Sequence, residues 1–223
     1  MTARERPAPA APGGGAAARF ITFEGGERAG KTTQARLLWE RLRERGIPAL
    51  FLREPGSTPL GEALRHILLS GEYDMAPRTE ALLMAAARAE MVATVLEPAL
   101  AAGTWVICDR YADSSLAYQG GGLELGLEAI RRLNDWATGG RWPDLTFLFD
   151  ADPAAARRRR DGEGDRIERR AAGFHERVRE AYLQLAAAEP RRFVVIDAAL
   201  PQEVIAERVW TAVARLIEGR TPA

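Results

Sequence analysis

The chain has 223 residues, enough for one α/β domain with a sizeable core. Hydrophobic residues make up 47% and charged residues 28%, and Lys plus Arg balance Asp plus Glu at 31 each, so nothing in the charge asks for a nucleic-acid or membrane partner. One cysteine and two histidines exclude an intramolecular disulfide framework and a structural zinc cluster, and no apolar run approaches the ~20 residues of a membrane span. The lone Cys108 suits a reducing, cytoplasmic setting.

Residues 1–18 are dominated by Ala, Pro, Gly and Arg and lack the apolar core of a secretory signal; they read as a disordered tail. From residue 19 the pattern alternates between short β-rich runs and helical periodicity. Phe20–Phe23 is the first strand. Lys31–Arg45 is a helix with apolar Ala35, Leu38 and Leu42, stopped by Gly46. Ala49–Leu52 is the second strand, followed by the loop Arg53–Thr58. Leu60–Leu69 and the long, mostly apolar Thr79–Ala101 read as helices, with Pro98 near the end of the latter. Trp105–Cys108 is a buried-strand run ending in Asp109, Leu123–Ala137 is helical, and Leu145–Phe149 is a strand ending in Asp150. Pro153 opens a helix, where proline is tolerated at the first turn. Phe174–Ala188 is helical, Phe193–Ile196 is a strand, and Gln202–Ile217 is the closing helix. Apolar strands alternating with helices predict a parallel sheet covered on both faces, in one domain over 19–219.

Gly25–Thr32, GGERAGKT, fits the phosphate-loop pattern G-x-x-x-x-G-K-[ST] between a strand and a helix. Gly25 and Gly30 let the backbone curl so that successive N–H groups face one concavity, and the helix that follows adds its positive dipole end. Lys31 can reach the outer phosphates of a nucleoside triphosphate, and the Thr32 hydroxyl can ligate Mg²⁺. The loop positions Gly25, Gly26, Glu27, Arg28, Ala29, Gly30, Lys31, Thr32 and Thr33 are therefore the expected contacts of a nucleoside triphosphate.

Ligands in a parallel α/β sheet sit beyond the carboxyl ends of the strands. The loop, Arg53–Glu54, Asp109–Arg110 and the segment after Asp150 all fall there. Asp109 suits a metal, and Arg53 and Arg110 suit a second, accepting phosphate group; the plain alternative is surface ion pairing with Glu54 and Asp109. An acid at Glu27 would repel a triphosphate, so it should turn away, toward a sugar hydroxyl of a second substrate or toward solvent. Arg28 can reach the transferring group. Arg157–Arg160 and the glycine-rich stretch after it read as a mobile lid over about 157–170, with Arg160 a second candidate catalytic arginine. Arg88 on an apolar helix requires a partner, either a base carbonyl or a nearby Glu. His66 and His175 read as surface or packing residues and Cys108 as a core thiol.

After the phosphate loop, the strings REPGSTPLGE, DRYADSSLAYQGGG, PDLTFLFD and DRIE occur in the order that resembles thymidylate kinases, from about Phe20 to Ile217. The resemblance implies a three-layer α/β/α P-loop NTPase fold with a five-stranded parallel sheet and a lid. It also implies Mg²⁺-assisted transfer from ATP to dTMP, and a homodimer. It implies that Lys31 and Thr32 handle ATP and metal, that Asp109 lies near the metal, and that Glu27 holds the sugar 3′-hydroxyl. Arg53 and Arg110 would take the acceptor phosphate, and Arg88 the thymine O4. Ser114 or Ser115 would lie near the ring N3, and Tyr118, with Gln119 beside it in the motif, would crowd the 2′ position. Met84 stands where such enzymes usually stack an aromatic on thymine, which implies looser packing on the base.

Overall fold

The computed structural model describes residues 17–154 and 164–219. Residues 1–16 of the tail read over 1–18, and the lid cluster Arg157–Arg160, lie outside the described residues. Five strands form one wholly parallel sheet: β1 (Phe20–Gly25), β2 (Ala49–Arg53), β3 (Trp105–Asp109), β4 (Leu145–Asp150) and β5 (Phe193–Asp197), in the order β2-β3-β1-β4-β5. Every residue of β1 is buried because strands flank it on both sides and helices cover both faces.

The two faces follow the strand period of two. Ile21, Phe23, Ile107, Phe147 and Phe149 point to one side, where α1 (Lys31–Glu44) brings Ala35, Leu38 and Leu42. On the same side α8 (Gln202–Ile217) brings Ile205, Val209 and Val213. Phe23 and Phe147 meet ring to ring at 5.2 Å, and burying one such side chain contributes about 1.5–3 kcal/mol. Phe20, Leu52, Val106 and Cys108 point to the other side, toward Met91 and Leu96. Leu148 packs there on α7 (Ala172–Ala188) through Val178 and Tyr182. This second face also carries polar residues, with Thr22 hydrogen-bonded to Thr146 at 2.9 Å and Glu24 fully buried.

The helix boundaries differ from the periodic reading in several places, and α7 starts two residues before Phe174. α2 (Pro59–Leu69) starts one residue earlier, because Thr58 caps it by accepting from the Gly61 N–H at 2.8 Å. The helix read over Thr79–Ala101 is α3 (Pro77–Met91), a π turn (Val92–Leu96) and α4 (Glu97–Ala101); Pro98, which lacks an N–H, is the second residue after the widened turn. The motif region, read without helix, forms α5 (Ala112–Ser115) and a π-helical turn (Leu116–Gly122), and α6 (Leu127–Thr138) starts later than Leu123. A Cβ at Gly121 would lie 2.5 Å from the Ala181 side chain, so the missing side chain lets this turn press against α7. No helix among the described residues is long and apolar enough to cross a membrane.

Candidate active site

The carboxyl ends of β1, β2 and β3 set the phosphate loop beside two other loops. At Gly25 φ is 134°, and a Cβ would stand 2.4 Å from the Phe149 carbonyl oxygen, so only glycine lets β1 turn there against β4. The first turn of α1 carries no side-chain cap and no acid, which leaves its N–H groups and dipole directed at the loop. Lys31 is buried and donates to the Gly26 carbonyl at 2.5 Å. Burial, and then the nearby Arg110, push its ammonium down to about 8 from 10.5. The Thr32 hydroxyl from α1 donates to the Asp109 carboxylate from β3.

Beyond Lys31 a cleft is lined by Thr32, Thr33, Arg53, Asp109 and Arg110, together with Arg65 from α2, which the sequence reading passed over. Arg65 donates to the Pro55 carbonyl at 3.0 Å, and burial, then the neighbouring Arg53, lower its guanidinium from the ordinary value. Crowded cations of this kind favour an anion between them. The signal was present: Arg65 lies in the apolar run of α2 just after the Arg53–Thr58 loop. Arg53 rests on Glu62 at 3.0 Å, not on Glu54 or Asp109.

The cleft continues into a second cavity lined by Glu27, Glu54, Arg65, Met84, Arg88, Arg110, Ser114, Ser115, Tyr118 and Gln119, closed by Asp165 and Ile167. Glu27 turns into it and accepts from Arg110 at 2.8 Å and from the Tyr118 hydroxyl at 2.7 Å. Burial would raise its carboxyl, but Arg110 and Lys31 outweigh burial and hold it at about 2. Arg110 stacks on the Tyr118 ring at 5.0 Å and donates to the Gly25 carbonyl at 2.9 Å, tying the cavity to the loop. Arg28 and Arg110 both hold left-handed backbones, φ 56° and 70°, a strained conformation for non-glycine residues that recurs at functional sites.

Arg88 is 2% exposed. It pairs with Glu54 at 2.6 Å and donates to Ser115 at 3.0 Å, to the Tyr111 carbonyl at 3.2 Å and to Asn134. Of the two partners foreseen for it, the nearby Glu is present within the protein. Glu54 Oε1 is buried with no hydrogen-bond partner, an acceptor left over at the cavity wall. Ser114 donates to Glu24 at 2.6 Å and meets the Tyr182 hydroxyl at 2.8 Å. Burial, and then Asp113, push the Glu24 carboxyl up to about 7.

Gly25, Gly26, Glu27 and Arg28 also border a third cavity, toward Phe149 and Tyr182, while Ala29 and Gly30 line the phosphate cleft. Arg160 lies outside the described residues. His66 is exposed beside Glu72, His175 packs on Phe174 at 5.1 Å, and Cys108 is a buried thiol, all as read from the sequence. The hydroxyl of Thr32 and the carboxylate of Asp109 are hard oxygen donors, a pair that fits Mg²⁺, which completes its shell with phosphate and water oxygens. Among the described residues no group of three or more His, Cys, Asp or Glu is placed to hold a metal.

A family model described as thymidylate kinase matches residues 23–209. A protein named thymidylate kinase from Clavibacter sepedonicus is 53% identical over 193 residues, which cover 85% of this chain and 92% of the relative. One of the same name from Thermomicrobium roseum is 51% identical over 202 residues, 89% of this chain and 96% of the relative. Another, from Magnetococcus marinus, is 47% identical over 206 residues, 91% of this chain and 96% of the relative. A family match over most of the chain, with these relatives at about half identity, agrees with the loop, the arginine-lined cleft and the second cavity: the chain belongs to the thymidylate kinase family.

Proposed function

We propose that the chain transfers the γ-phosphoryl group of ATP to dTMP, giving dTDP, with both nucleotides bound at once. One observation carries this reading: the phosphate cleft and the second cavity run into each other, and Glu27, Glu54, Arg65, Arg110 and Asp165 line both. A donor on the loop and an acceptor in the cavity would meet at Arg110.

The loop amides and Lys31 hold the donor's phosphates. Arg53, Arg65 and Arg110 hold the acceptor's phosphate, and Arg28 stabilises charge on the transferring group. Such transfer needs alignment and charge neutralisation more than covalent chemistry. Mg²⁺, when bound, would be held through Thr32 and Asp109 and would neutralise phosphate charge. In the cavity Glu27 holds the sugar hydroxyl, Tyr118 crowds the 2′ side, Gln119 beside it contacts the substrate, Met84 packs on the base, and Arg88 with Ser114 or Ser115 reads its edge. The Glu54 ion pair fixes the Arg88 guanidinium in one orientation. The single cysteine supports a cytoplasmic setting, the unbroken alternation of strands and helices supports a single domain over 19–219, and the homodimer is carried over from the family.

A coupled assay of transfer from ATP to dTMP, dUMP, UMP, CMP and AMP tests the reading, with calorimetry of dTMP alone. Preferential dTDP formation and measurable heat are expected. No heat with dTMP and ATP hydrolysis without transfer would instead make the chain a nucleotide-driven switch.

A further inference from the structure

Glu80 has no place in the proposed chemistry, yet it is the most heavily engaged carboxylate on α3. It is fully buried in the first turn of that helix. Its Oε2 accepts from Arg166 at 2.5 Å and from Arg170 at 2.5 Å, and its Oε1 accepts from Gln119 at 2.9 Å and from Arg170 at 3.3 Å. Both guanidiniums belong to one short stretch of chain, Asp165–Arg170, that crosses the mouth of the site. Arg166 further donates to the Leu68 carbonyl at 2.8 Å, and Asp165 tightens the turn by accepting from the N–H groups of Ile167 and Glu168 at 2.8 and 2.9 Å.

The stretch touches both substrate sites. Asp165 and Ile167 close the acceptor cavity, while Asp165 and Glu168 border the phosphate cleft, where Glu168 lies 3.7 Å from Arg28. Glu80, Met84 and Arg88 recur every four residues and so share one stripe of α3. The second and third members of that stripe line the acceptor cavity, as does Gln119, the neutral partner of Glu80. A single carboxylate thus joins the helix that meets the acceptor's base to the strap that borders Arg28.

We propose that Glu80 is a positioning residue: by clamping Arg166 and Arg170 it seats the 165–168 strap so that filling the acceptor cavity sets Arg28 over the phosphate cleft. The proposal rests on the kinase reading above. A dTMP molecule pressing on Met84, Gln119 and Ile167 stiffens the clamp, and the strap passes that order to the neighbourhood of Arg28. Positive cooperativity between the two substrates follows, since the second to bind finds the ordering already done.

The test compares the full-length chain with Glu80→Gln and, because Gln leaves two guanidiniums short of a counter-charge, with Arg170→Gln as well. Thermal unfolding first establishes that each variant is folded. Calorimetry then gives the affinity for dTMP alone, for a non-hydrolysable ATP analogue alone, and for the analogue with dTMP saturating. The wild type should bind the analogue more tightly when dTMP is present, on the order of tenfold. Both variants should bind each nucleotide alone within about threefold of wild type, lose most of that coupling, and lower kcat by roughly tenfold with little change in the KM for dTMP. Unchanged coupling and kcat in a folded variant would overturn the proposal. So would equal weakening of every affinity, the mark of a purely structural residue. A wild type that binds no dTMP would overturn the kinase reading instead, and the two failures are distinct.

Discussion

The phosphate loop and the acceptor cavity are built in opposite ways. Gly25–Thr33 is one uninterrupted stretch that brings its backbone, Arg28, Lys31 and the hydroxyls of Thr32 and Thr33 to one cleft. The acceptor cavity gathers side chains from the loop, the β2 and β3 ends, α2, α3, the π turn after α5 and the strap at 165–167. In the loop, burial and the nearby Arg110 hold the Lys31 ammonium down at about 8. The cavity holds its charges already paired, as in Arg88 with Glu54 and Arg110 with Glu27. A phosphate cradle needs only local chain geometry, whereas recognition of a whole nucleotide needs charges fixed from several directions before it arrives.

The comparison breaks most visibly at Arg28, which borders the phosphate cleft next to Glu27, the loop residue that enters the cavity. Arg28→Ala should lower turnover by roughly 10³–10⁵ with dTMP affinity nearly intact, by steady-state assay and calorimetry. Wild-type turnover in that variant would move the role to another arginine. Lys31→Ala should reduce transfer by about 10²–10³ while the thermal unfolding midpoint stays near wild type. Full turnover in it would sink the reading of the loop.

On the cavity side, Arg88→Met strands the buried Glu54 and should cost about 3–5 kcal/mol of stability by denaturant titration. The double variant with Glu54→Gln should recover much of that loss. Met84→Phe should sharpen the contrast by supplying a ring against the base, tightening dTMP by about 2–10-fold if stacking is what the position lacks. No change would mean the base lies elsewhere.

The smallest effects are protonic. Lys31 is depressed from 10.5 to about 8, so between those values the unfolded chain holds the extra proton and stability rises with pH, the penalty being fully present below about 8. A triphosphate restores the charge, so ATP binding near pH 9 should take up a fraction of a proton. Calorimetry in buffers of different ionisation heat reads that uptake, and it should vanish in Lys31→Met. Glu27 has the opposite sign. Held at about 2 rather than 4.5, it stabilises the fold fully above about 4.5 and loses that contribution as pH falls toward 2. Glu27→Gln should flatten acid unfolding over that interval.

The sheet was legible because parallel strands read as near-continuous apolar runs, including the partly exposed edge strands β2 and β5; each of the five was read to within a residue or two of its observed ends. The motif region was not legible as helix. In Leu116–Gly122 three glycines speak against helix, and the turn exists because their bare backbone fits under α7 at Gly121. In the site, Arg53, Arg88 and Arg110 stood out as charges in apolar or strand-end settings. Arg65 lacked a strand end to mark it and Glu80 a motif, and Glu54 was weighed only as an ion-pair partner of Arg53.

By itself the sequence determined the phosphate loop, the alternation of strands and helices, and the family, because each is written in contiguous residues whose spacing carries the physics. Only the tertiary structure decided which charges meet. Arg88 found Glu54 across 34 positions and Arg170 found Glu80 across 90. Such pairings follow from how helices dock on a twisted sheet, and Coulomb attraction between distant residues leaves no period in the chain for a reader to find.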